Sequence, residues 1–180
     1  MAVPIHLAFI DGPAPTWSDA LVAGLADVFP NPIRMVAAPV DLRPCFVSSR
    51  QQHHATLVLA ALLRRRSDPT SKILGIVPVD LFSPVLTFVF GQAQLDGPGA
   101  VVSTYRLRTE FYGLPRDEGV LVERTIKECV HELGHAFGLV HCEFYDCVMH
   151  ASSTVDEVDL KGAGFCGHCV STLEGRDWST

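Results

Sequence analysis

The stretch His131-Glu132-Leu133-Gly134-His135-Ala136-Phe137-Gly138-Leu139-Val140-His141 constrains this chain more than any other. His131 and His135 are four residues apart, so on a helix they project from one face, one turn from each other. That spacing lets two imidazole nitrogens reach one Zn²⁺ at roughly 2.0–2.1 Å. Glu132 follows the first histidine, offset around the helix, where it can face a metal-bound water without ligating the metal. Gly138 permits a backbone conformation that a residue with Cβ resists, so the chain can leave the helix and swing His141 back. Three protein ligands with a fourth position open is the catalytic zinc arrangement; a purely structural site is closed by four.

A site of this kind needs a folded scaffold, and 180 residues with 48% hydrophobic content are enough for one domain with a sizeable core. No apolar run approaches the roughly 20 residues of a membrane-spanning helix. The formal net charge is −6 and there is no long basic run, which argues against nucleic acid as a partner. Residues 1–10 read as a first strand rather than a secretory leader, which points to the cytoplasm. In that compartment six cysteines are better explained by metal binding than by disulfides.

Periodicity and turn residues predict a strand at 3–10, a helix from Thr16 or Ser18 to about Val28, and a strand at 33–40. A second helix is expected over 51–66, ending in Arg64, Arg65 and Arg66. Strands follow at 73–79, 86–90 and 100–105, with 91–99 a polar, glycine-rich connection and 106–119 a loop. A long helix should begin near 118–121 and run through Leu139, carrying the histidine motif on its last turns. The order β-α-β-α-β-β-β-α makes an α/β (α+β) layered fold.

A second constellation follows the third histidine. Cys142 and Cys147 lie on one loop, and Cys166 and Cys169 form a later C-x-x-C knuckle, the pattern of a closed structural zinc site built from four thiolates. C-x-x-C alone also occurs in redox motifs, so the first pair carries much of the argument. Between the pairs lies Met149, placed to form a floor beneath the histidines. Tyr145 and His150 flank the site in sequence; each is packing or surface filler in the simpler reading and a substrate-facing donor in the other.

H-E-x-x-H-x-x-G-x-x-H followed by a methionine is similar to the metzincin signature. The continuation His141-Cys142, Cys147-Val148-Met149 and a closing C-x-x-C resembles the archaemetzincins, most tightly over 129–169. Similarity extends to Phe88, Val89, Phe90 and Gly91 and to Val101-Val102-Ser103. The 16 residues between Met149 and Cys166 are about one fewer than the family pattern, and His150-Ala151 replaces a more usual asparagine and aromatic. The resemblance implies a mixed twisted β-sheet with backing helices and an active-site helix. A small zinc-stabilised C-terminal subdomain would occupy 139–180, below an N-terminal part over 1–138. It also implies a zinc metallopeptidase with two Zn²⁺ per chain, Glu132 as general base and acid, and a peptide or protein substrate lying against the edge strand at 86–91. Endopeptidase and aminopeptidase modes stay open, and a monomer is expected. The alternative from another class is a non-catalytic, zinc-stabilised peptide-binding module; Glu132 speaks against it, since such a module has no use for a base.

Overall fold

The computed structural model describes residues 3–175. Strand β1 (Ile5–Phe9) leads into helix α1 (Ser18–Ala26) and strand β2 (Ile33–Met35). A 3-10 turn (Arg43–Cys45) precedes β3 (Phe46–Val47), β4 (Gln52–His54) and helix α2 (Ala55–Leu63). Then come β5 (Lys72–Val77), β6 (Leu81–Ser83), β7 (Leu86–Val89), β8 (Gly91–Ala93) and β9 (Gly99–Ser103). A second 3-10 turn (Thr109–Tyr112) leads to α3 (Glu118–Ala136), α4 (Val155–Leu160) and α5 (Gly167–Glu174).

The main sheet has the order β2-β1-β5-β9-β8. Its first four strands are parallel and β8 runs antiparallel to β9 at the edge. The central strand β5 is buried on both faces, as its near-continuous apolar sequence requires. Its side chains alternate: Leu74 and Ile76 join the core beneath α1 and α3, while Ile73 and Val77 join the one beneath α2. At Gly75 an added Cβ would fall 2.6 Å from Cδ2 of Leu62, so the missing side chain is what lets α2 close on the sheet. A smaller sheet, β3-β4-β6-β7, carries a bulge between β6 and β7 and leaves β7 as an edge. The core beneath α3 is continuous with Val148, Met149, Val155, Val158 and Leu173, so the C-terminal segment packs on the same apolar face as the sheet.

The mixed α/β layering is the expected one, with differences that have local causes. The second strand stops at Met35 because only three residues pair with β1, and the chain departs ahead of Pro39, which has no N–H for a ladder. The helix expected from Gln51 starts at Ala55: Gln51 sits at φ 55 and residues 52–54 pair as β4 with β3 and β6. Gly91, Gln92 and Ala93, expected in a connection, form β8 because β9 offers them an antiparallel edge. The helix expected to reach Leu139 ends at Ala136, where Gly138 at φ 92 turns the chain. Helices α4 and α5 are additions. The first was legible in the Thr154-Val155-Asp156-Glu157 capping box, whose two reciprocal bonds are both present.

Candidate metal centre and substrate cleft

Helix α3 delivers most of the site. Asp117 caps its start by accepting a hydrogen bond from the Val120 N–H at 3.0 Å. At its end the Leu139 N–H donates to the Gly134 carbonyl and the Gly138 N–H to that of His135, both at 2.9 Å. This is a Schellman turn, and it needs the left-handed backbone that Gly138 supplies. The reversal brings His141 back over the helix, with its ring centroid 5.3 Å from that of His131 and 4.9 Å from that of His135.

One ring nitrogen from each of the three histidines lies within 4.8 Å of the others, and the two Nε2 atoms of His131 and His135 are 3.1 Å apart. The opposite nitrogens are committed to the backbone. Nδ1 of His131 is 2.8 Å from the Val148 carbonyl, and Nδ1 of His135 is 2.7 Å from that of Leu139. A carbonyl can only accept, so both Nδ1 atoms carry the proton and both Nε2 lone pairs face the common centre. Burial holds all three rings below the usual imidazole pKa, which keeps them neutral. A neutral, convergent imidazole set, with the tautomers of His131 and His135 fixed by the backbone, is the donor chemistry that a zinc ion takes, and the residues fit it.

Glu132 is 6% exposed and lies beside these rings in the same cleft. Burial pushes its carboxyl well up, Glu128 adds to that, and Lys161 opposes it. Its position depends on Gly91: an added Cβ there would lie 2.6 Å from the Glu132 Cγ and 2.7 Å from Oε1. Met149 is fully buried, and an added Cβ on Gly134 would land on its sulfur, so the methionine fills the space under the helix between His131 and His135.

The cleft encloses about 450 Å³. One wall is residues 86–93, including Phe88, Val89, Phe90 and Gly91 from the sequence prediction. Phe88 packs edge-on against Phe90, and the Arg106 guanidinium covers Phe88 at 4.2 Å while pairing with Asp80 at 2.7 Å. Ala151, Ser152 and Ser153 complete the lining together with the histidines, Glu128 and Glu132. Tyr145 and His150 stack on each other, with centroids 4.6 Å apart, and neither lines this cleft. His150 instead has Nδ1 3.0 Å from the Cys142 carbonyl.

The four cysteines converge behind the His141 loop, their sulfurs all within 4.8 Å. Cys142 and Cys166 are 3.8 Å apart and Cys147 and Cys169 are 3.7 Å apart, far longer than a disulfide bond. Backbone N–H groups of Phe144 and Cys166 donate to the sulfurs of Cys142 and Cys147, each at 3.4 Å. The neighbouring Cys169 amide and thiols hold Cys166 down at about 7, whereas burial pushes Cys147 and Cys169 up. The same loop is tied to the methionine segment by the Cys142 N–H, which donates to the Met149 carbonyl at 3.0 Å. Cys45 and Cys129 are buried in the two cores, away from both clusters.

Spacing announced the histidines, Glu132 and the cysteines. It missed Glu128, Lys161 and Ser152, for which no spacing rule exists; Glu128 had only its position one turn before Glu132 to mark it.

The pattern of Peptidase family M54 matches residues 44–175. The chain is 45% identical over 130 residues to the archaemetzincin of Methanocaldococcus jannaschii, covering 71% of this chain and 69% of that one. It is 38% identical over 148 residues to the archaemetzincin of Archaeoglobus fulgidus, covering 82% of each. Its fold is similar to the crystal structure of archaemetzincin from Methanopyrus kandleri, with TM-score 0.84 and 34% identity over 97% of this chain and 95% of that one. A zinc-dependent peptidase from Methanocorpusculum labreanum is similar to the same degree, with TM-score 0.84 and 32% identity over 94% of this chain and 99% of that one.

Proposed function

The chain belongs to peptidase family M54 and is a zinc metallopeptidase, and on that premise we propose that His131, His135 and His141 hold its catalytic zinc with Glu132 as the proton-transferring group. The observation that carries this reading is the commitment of two Nδ1 atoms to backbone carbonyls while the Nε2 atoms converge beside a buried carboxylate. A zinc ion bound there would supply a water acidified from 15.7 toward roughly 7 and a polarised substrate carbonyl. Glu132 takes the proton of the attacking water and returns it to the amine as the peptide bond breaks. Its carboxylate is held for that transfer by Gly91, whose missing Cβ leaves room for it. Met149 and the Schellman turn fix the two helical rings and His141 against each other, so little reorganisation accompanies the reaction.

The outer edge of β8 and the adjoining β7 give an extended peptide backbone groups to pair with, and Phe88 and Phe90 offer it apolar surface. Cys142, Cys147, Cys166 and Cys169 hold a second, structural zinc, making two ions per chain and organising a lower part over 139–175 beneath the part over 3–138; residues 1–2 and 176–180 of the expected division lie outside the described residues. Reduced thiols suit the cytoplasm, and a monomer suffices for a cleft built from one chain. No helix among the described residues is long and apolar enough to cross a membrane.

Hydrolysis of a peptide library by the zinc-loaded protein, compared with Glu132→Ala at equal zinc content, tests the reading. Loss of on the order of 10²-fold or more in kcat is expected for the variant. Equal residual cleavage by the two proteins would overturn the role given to Glu132.

A further inference from the structure

Part of the cleft wall is built on β7, a strand that its own sheet holds loosely. It pairs with β6 only at Leu81↔Val89 and Ser83↔Leu86, and the register shifts between these two pairs. Thr87 and Phe88 fall in that irregular interval, and β7 is the edge of its sheet. A regular ladder therefore does not set the Phe88 ring, although that ring lines the cleft.

Side chains do what the ladder leaves undone, and Asp80 is their centre. Its Oδ1 accepts from Nε of Arg106 at 2.7 Å, and its Oδ2 accepts from Nη2 of Arg106 at 2.8 Å and from Nε2 of Gln52 at 2.9 Å. The Gln52 amide also donates to the Thr87 carbonyl at 3.0 Å, and Nη2 of Arg50 donates to the same carbonyl at 3.0 Å. Held by its two-point pair, the Arg106 guanidinium lies over the Phe88 ring at 4.2 Å and over the Phe111 ring at 4.9 Å. The Tyr112 hydroxyl donates to the Arg106 carbonyl at 2.9 Å, which ties down the other end of the residue. A bidentate pair fixes a plane as well as a charge, and a guanidinium plane is attracted to an aromatic face.

The chemistry of the braced ring narrows what can rest on it. The charge of Arg106 is matched by Asp80, so this pair adds no net charge to the wall. Phe88 itself offers only hydrocarbon, against which a charged or carboxamide side chain would lose water without gaining a partner. A large apolar or aromatic side chain instead buries area and stacks. Phe88 is three residues from Gly91, whose position touches Glu132, so the two Cα atoms are at most about 11 Å apart.

We propose that Asp80 and Arg106 are positioning residues that hold Phe88 as a fixed platform, and that this platform selects a large apolar or aromatic side chain within about three residues of the cleaved bond. This selectivity rests on the peptidase reading above.

The test uses the zinc-loaded full chain and peptide pairs that differ only by phenylalanine against alanine, at each of the three positions on either side of the cleaved bond. The wild type is expected to favour phenylalanine at one position by about tenfold or more in kcat/KM. Phe88→Ala should remove most of that preference. Arg106→Met should cut the phenylalanine-to-alanine ratio by about threefold or more, with the loss in KM. Both peptides meet the same preparation, so partial unfolding or zinc loss lowers both rates together and cancels from the ratio. Arg106→Lys should behave like Arg106→Met, because an ammonium neither stacks as a plane nor holds both Asp80 oxygens. If Arg106→Met fails to fold, Asp80→Asn, which weakens the fork without changing its shape, decides in its place by the same fall in ratio. A wild type with no preference for phenylalanine at any position, or a preference that survives Phe88→Ala, would overturn the platform. An unchanged ratio in Arg106→Met, or full selectivity in Arg106→Lys, would overturn the role of the guanidinium. Each of these leaves peptidase activity standing, whereas cleavage of no peptide at all would overturn the peptidase reading and the platform with it.

Discussion

At the scale of single residues, the site is held by contacts that have no tolerance for added atoms. Gly91 and Glu132 come from different elements, and a methyl group at 91 would overlap the glutamate at 2.6 Å as well as the Val101 carbonyl at 2.8 Å. We expect Gly91→Ala to lower kcat by about 10²-fold, in line with a misplacement of roughly 1 Å, while zinc content stays unchanged. Zinc loss on that substitution would show that the histidines, not the glutamate, had moved. The buried histidines have a pH consequence of definite sign. Burial lowers their folded pKa below the ordinary 6.5, so as pH falls through that value the unfolded chain takes up protons that the folded chain refuses. The metal-free protein should therefore lose stability between about pH 7 and pH 5, read as a falling urea midpoint; a flat profile would mean that the rings are solvated.

At the scale of elements, α3 works as a rigid bar anchored at both ends. Its C-terminal anchor is the Gly138 turn and its N-terminal anchor is Asp117. Along its length Arg124 makes a two-point ion pair with Asp159 at 2.7 and 2.6 Å, and the Lys127 ammonium donates to the Asp159 carbonyl at 2.9 Å. These bonds join α3 to Asp159 near the end of α4, two residues before Lys161. Asp117→Ala should cost about 1 kcal/mol of stability through the lost cap. It should leave kcat/KM unchanged, since fourteen residues of helix, about 21 Å, separate the cap from His131. A fall in kcat/KM without loss of stability would show that the cap also sets the tilt of the helix. Helix α3 was legible because it is long, capped and closed by glycine. The short strands β3, β4 and β8 were not, because two or three residues form a strand only when a neighbouring strand lends them a ladder.

At the scale of the whole molecule, one apolar core runs from the parallel sheet through α3 to the segment carrying the cysteines. If the Cys₄ cluster binds zinc, the ion's binding energy is part of the folding energy of that segment. Metal analysis should return two zincs per chain. Cys166→Ser should lose one of them, with a lowered thermal midpoint and reduced solubility. One zinc in the intact protein would refute the structural site. Removing both ions with a chelator should lower the midpoint further than Glu132→Ala does, because that variant keeps its metals.

The sequence by itself determined which histidines and cysteines converge. Side chains at i, i+4 and C-x-x-C spacings are set by local backbone geometry, so His131, His135, Cys166 and Cys169 needed only a helix and a knuckle to point together. His141 needed one more local fact, the turn at Gly138. Tertiary structure alone decided the substrate side. Gly91 beneath Glu132, and Glu128 with Lys161, meet across separations in the chain that no periodicity encodes. Their meeting follows from how β8, α3 and the methionine loop pack, and packing is a property of the assembled core rather than of any one segment.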